Sequence, residues 1–169
     1  GSYIVAWSAI SRGSKPFVGQ PLIIEVDGGL PGGAFDSVLL GCEGVNVSGG
    51  GSIDSYDSRE GSYGGENQGL GNAKIRSSAP GGDIVLNSWS SVYADVESAG
   101  RIEVGGSFNG NLKANDDIVT SGNGGVQIQG NVASGQAVRL NGGGDTITGN
   151  VEANTEIVVN PNSHIVGDA

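Results

Sequence analysis

Methionine is absent from the 169 residues, and cysteine and histidine occur once each, as Cys42 and His164. A lone cysteine rules out an internal disulfide framework and any zinc site built on several thiolates. Basic residues are scarce: Lys and Arg number 8 against 18 Asp and Glu, for a net charge of −10. Such a surface repels phosphate backbones and anionic lipid, which opposes nucleic acid as a partner. No apolar run reaches the roughly 18 residues of a membrane-spanning helix, so membrane contact is expected only through a segment outside this sequence. Without an initiator methionine, Gly1-Ser2 reads as the remnant of a tag.

Glycine, by contrast, occurs 33 times, well above a usual level of about 7%. Gly-rich chains are often disordered, but disorder requires few branched aliphatics and no periodicity. Here Val and Ile recur in short alternating runs such as Ile102-Glu103-Val104, Val126-Gln127-Ile128 and Ile157-Val158-Val159. That is the rhythm of strands with one buried face. Gly, Asn, Asp and Ser fill the gaps, and no apolar period of 3.6 survives more than a turn. The chain reads as all-β with very short strands.

One pattern then repeats: an apolar residue, any residue, a small one, Asn or Asp, an aliphatic, any residue, and Ala or Ser. It appears at Val92–Ser98, Phe108–Ala114, Ile128–Ser134 and Ile147–Ala153, with a shortened copy at Ile165–Ala169. A second aliphatic series, Ile84, Ile102, Ile118, Val138 and Ile157, falls between the copies. Repeats of this size suit the coils of a β-solenoid, in which no coil can fold alone and stacking buries a continuous column. About six coils are expected over residues 35–169. Gly110-Asn111, Gly130-Asn131 and Gly149-Asn150 are expected to be structural corners, where positive φ is tolerated. Residues 1–34 read as a β-hairpin or small cap, with strands near 3–10 and 21–26. The stretch 58–72 reads as a Gly-rich, exposed excursion carrying Glu60 and Glu66.

The segment Gly44-Val45-Asn46-Val47-Ser48-Gly49-Gly50-Gly51-Ser52-Ile53-Asp54-Ser55-Tyr56-Asp57-Ser58 resembles a sequence in bacterial pilus-assembly proteins of the minor-pilin type. In these, a hydrophobic pilin helix precedes a polymer-forming, bactofilin-like β-helix. The Gly-Asn-aliphatic turns also look like bactofilin turns, and the resemblance spans residues 35–169. It implies a single-stranded, right-handed β-solenoid at the cell surface or in the envelope. Its implied work is pilus assembly, adhesion or end-to-end polymerisation, with protein partners or self-association through the solenoid ends.

Asp54 and Asp57, with Tyr56 and the neighbouring serines, form an oxygen-rich box that invites calcium. The box lacks a tandem copy to complete a site, so no metal and no cofactor are expected. Asp54, Tyr56, Asp57, Glu60, Glu66 and Trp89 are the candidate binding residues, as an exposed box, a loop and an aromatic. Trp7, Trp89 and Tyr93 are aromatics on which sugar rings could stack, the basis of an alternative reading as a secreted carbohydrate-binding or polysaccharide-cleaving β-helix. Cleavage would need a basic residue beside clustered carboxylates, and Arg101, Lys113 and Arg139 read as isolated. His164 reads as a solvated turn residue rather than a general base, and Cys42, among Leu39, Leu40 and Val45, as a buried inert thiol. No catalytic residue is expected.

Overall fold

The computed structural model describes residues 2–6, 22–26, 39–49, 52–57, 62, 64, 66, 73–122 and 124–168. These form strands and turns without a helix. The first strands are β1 (Ser2–Ala6), β2 (Leu22–Val26), β3 (Leu39–Gly41), β4 (Gly44–Gly49), β5 (Asp54–Asp57) and β6 (Ala73–Ser77). Next come β7 (Asp83–Ser98), β8 (Ile102–Asn109), β9 (Leu112–Ala114), β10 (Ile118–Thr120), β11 (Gln127–Gln129) and β12 (Val132–Ser134). The last are β13 (Ala137–Leu140), β14 (Thr146–Ile147), β15 (Val151–Ala153), β16 (Glu156–Val159) and β17 (His164–Ile165).

From β3 onward the chain coils as a β-solenoid of about five stacked turns, each pairing in parallel with the next. Every coil contributes three short segments, so the stack carries three strips. In the first strip, Leu39, Ile75, Val96, Leu112, Val132 and Val151 stand in register. The second strip aligns Val45, Ile84, Ile102, Ile118, Val138 and Ile157. Ile53, Val92, Phe108, Ile128, Ile147 and Ile165 form the third. Alternation turns these side chains inward and their neighbours outward. The inward sets merge into one core cluster, in which Ile84, Val96, Ile102 and Ile147 are fully shielded. The repeat and the second aliphatic series thus mark the inner lining of one coil.

Spacing along the chain locates the corners. From third strip to first the step is constant from the second rung on: Val92 to Val96, Phe108 to Leu112, Ile128 to Val132, Ile147 to Val151. From first to second it is constant after the second rung, as in Val96 to Ile102 and Val132 to Val138. From second to third it varies, being shortest between Ile102 and Phe108 and longest between Ile118 and Ile128. Coil length from the fourth rung onward therefore changes at this corner alone.

At the N-terminal side, β1 pairs antiparallel with β2 and with β5, giving a three-stranded sheet ordered β2-β1-β5. Most of the expected 58–72 excursion lies outside the described residues, as do Trp7, Glu60 and residues 7–21.

Candidate binding face and corner cleft

The Gly-Asn corners show the expected positive φ at Gly110 and Gly130 but not at Gly149, and they also tie successive coils together. The Asp95 carboxylate accepts from the Asn111 backbone N–H at 2.8 Å and from its side-chain amide at 3.0 Å. The Asn111 Oδ1 accepts from Asn131 N–H, and the Asn131 Oδ1 from Asn150 N–H, both at 3.0 Å. Asn150 Oδ1 then accepts from Asp168 N–H at 3.2 Å. This is a continuous side-chain-to-backbone ladder. None of these Asn and Asp residues has positive φ; among the described non-glycine residues only Asn162 does. The preceding glycines are required by proximity: a Cβ at Gly110, Gly130, Gly149 or Gly167 would land on a carbonyl oxygen of the preceding coil. Asn131→Ala should cost about 1 kcal/mol by removing the acceptor for Asn150, while Asn131→Asp, which copies Asp95, should cost little. Urea midpoints of the two variants check this.

The first-to-second corner is held by hydroxyls. Ser98 Oγ donates to Gly82 O at 2.9 Å, and Ser134 Oγ to Asp116 O at 2.7 Å. Carboxylates there serve the same end, since Asp83 accepts from Arg101 N–H at 2.8 Å and Asp117 from Ala137 N–H at 3.0 Å.

The variable corner contains two features that sequence reading did not single out. One is Asp145, which is fully buried. Its Oδ1 accepts from Val126 N–H at 2.8 Å; its Oδ2 accepts from Gly142 N–H at 2.8 Å and Thr120 Oγ1 at 2.5 Å. The other is an open cleft of about 400 Å³ lined by Asn87, Glu103, Gly105, Ser107, Ser121 and Gly124. The bare backbone of Gly105 lets Asn87 Oδ1 accept from Ser121 Oγ at 2.8 Å across the intervening rung. Glu103 is paired with Arg101 at 2.9 Å. The signal for both features is the irregular spacing of aliphatics at this corner, together with the run Gly142-Gly143-Gly144-Asp145.

The outward faces differ sharply in charge. The first strip presents Arg76, Glu97, Lys113 and Glu152, and Arg76 pairs with Glu97 at 2.7 Å. The second presents Glu103 and Arg139, with Arg139 paired to Glu156. From its second to its fifth rung the third presents Tyr93 and then Ser107, Asn109, Gln127, Gln129, Thr146 and Thr148, all without charge, and His164 follows on the last rung.

The residues singled out from sequence are not gathered into one site. Asp54 is buried rather than exposed, and its Oδ1 accepts from Ser55 N–H at 2.6 Å. Its strand is covered along one edge by β1, which explains the burial. The side chains of Tyr56, Asp57 and Trp89 lie outside the described residues, although the backbone of Trp89 runs through β7 where its pairing with β8 shifts register. Glu66 is exposed in a turn. Cys42 is exposed, not buried, because it occupies the bend between β3 and β4 rather than an inward strand position. Arg101 and Arg139 are ion-paired rather than isolated. His164 is exposed in β17. No group of three or more His, Cys, Asp and Glu among the described residues is arranged to hold a metal ion.

No protein-family model matches the chain, and neither the curated proteins nor the solved structures contain a match.

Proposed function

We propose that the chain is a non-catalytic structural and interaction module of an extracellular or envelope assembly, of the pilin-like or bactofilin-like kind suggested by the Gly44–Ser58 segment, and that it associates with other copies through its end rungs. The observation that carries this reading is the position of exposed large aliphatics. Among the described residues these are Leu40, Val159 and Val166. Leu40 stands on the first rung, and the other two on the last. A parallel coil laid on the last rung would continue the backbone ladders of β15, β16 and β17 and cover Val159, whose register partner Leu140 is buried, with Val166 flanking the seam, which is how solenoid edges propagate. The many Asp, Glu and Arg side chains engaged between coils also suit a rod whose ionisable groups maintain the stack.

Light scattering coupled to size exclusion tests this over a wide concentration range. The mass should climb above 16.8 kDa as concentration rises. The double variant Val159→Lys and Val166→Lys should remain at the single-chain mass. A wild-type mass that stays constant throughout would remove self-assembly from the proposal.

A further inference from the structure

We propose that the third strip and the adjoining corner cleft form a binding face for a neutral, hydroxyl-rich polysaccharide. The argument begins with charge. On a chain of net charge −10, the third strip from Ser91 to Thr148 presents no ionised side chain, whereas the first strip presents Arg76, Glu97, Lys113 and Glu152 and the second Glu103 and Arg139. An uncharged strip offers a polyanion or a polycation no complementary charge.

The second element is the type of group on the strip. Ser107, Asn109, Gln127, Gln129 and Thr148 are exposed, and each carries hydroxyl or amide groups that donate and accept. They recur about every 4.8 Å from coil to coil and about 6.7 Å along each strand. Protein-binding patches have an apolar centre, and this array has none; Tyr93, half-buried beside Asn109, is its one aromatic platform. Such a surface matches a ligand that is itself a repeating array of hydroxyls.

The cleft supplies the concavity. It opens at Ser107, where the strip begins, and its volume lies in the range of small-ligand pockets. Asn87, Ser121 and the half-buried backbone of Gly105 line it, and the charge of Glu103 is offset by Arg101. The arrangement is a polar trough leading onto a flat polar strip, sized for one or two sugar units of a chain that continues across the rungs.

Gly124 provides a clean test. It lines the cleft, a Cβ there would meet nothing within 4 Å, and its backbone is not left-handed. Gly124→Trp should therefore fill the trough without disturbing the stack. Depletion binding to insoluble cellulose, chitin and starch granules, with alginate as the anionic counterpart, is read for wild type and variants. Wild type should be retained by at least one neutral polymer and not by alginate. Gly124→Trp, and separately the pair Gln127→Ala with Gln129→Ala, should weaken retention at least about tenfold, with the melting temperature of Gly124→Trp unchanged. Lys113→Ala with Glu152→Ala on the first strip should bind as wild type. Retention by none of the three neutral polymers, equal retention by alginate, or folded cleft and strip variants that bind like wild type would each overturn the assignment. The outcome is independent of assembly through the end rungs, which scattering reads separately.

Discussion

Replacing Gly130 by Ala should abolish cooperative folding of the C-terminal coils. The missing side chain at this position is what lets two coils approach: an added Cβ would meet the carbonyl oxygen of Gly110, a residue whose N–H is tied to Gln129 O at 2.9 Å. The neighbour cannot rotate aside as a flexible side chain would. Gly130 also has φ of 156°, a backbone conformation that residues with a Cβ rarely adopt, so conformation adds to the cost of contact. Overpacking against fixed backbone costs more than the usual 1–3 kcal/mol of core insertions, and a loss above about 4 kcal/mol is expected. Gly143→Ala is the matching control, since a Cβ there meets nothing within 4 Å. It should leave stability unchanged or raise it by about 0.4–1 kcal/mol through the unfolded chain. Urea titrations followed by circular dichroism should separate the two, and equal midpoints would show that the coils can spread to admit a methyl group.

Asp145→Ala should produce the second large loss. The substitution strands two backbone N–H donors, Val126 and Gly142, together with the Thr120 hydroxyl, in a fully buried place. Losses of about 3–5 kcal/mol accompany the breaking of such buried charged networks. For a chain of this size that corresponds to a fall of about 6–20 °C in melting temperature. Asp145→Asn keeps the volume and one acceptor but turns an N–H₂ group toward a donor, so its loss should lie between wild type and Asp145→Ala. Differential scanning calorimetry of the three proteins checks the order. An Asp145→Ala protein melting with wild type would mean that water replaces the carboxylate at no cost.

These two residues mark how far the sequence could be read. The coil architecture was legible because Val96, Leu112, Val132 and Val151 repeat the same chemistry at nearly the same interval, and burial in a shared column demands that repetition. The corners were legible as corners, and the positive φ that Gly before Asn suggests is present at Gly110 and Gly130, though not at Gly149. What was not legible is that the glycine also answers to the backbone of the neighbouring coil, and the Asn to an N–H on the following one. Both are contacts between residues some twenty positions apart, which a local reading of turn preference does not see. Asp145 was missed because nothing distinguishes a buried Asp from a solvated one in a Gly-rich turn. Cys42 was misplaced because its apolar neighbours Leu39 and Val45 belong to two different strips, and the bend between them faces water. The uncharged face was written in the sequence at Gln127, Gln129, Thr146 and Thr148, but it becomes a face only once the rungs are aligned.

The unequal step between the second and third strips has a further implication. From the fourth rung onward, two corners of the coil have fixed length while the third accepts different numbers of residues, and the inner columns stay aligned regardless. Because loop closure grows costlier only logarithmically with length, that corner is where evolution can graft or trim chain without re-registering the scaffold. New recognition loops could be gained and lost there while the rod beneath them stays unaltered.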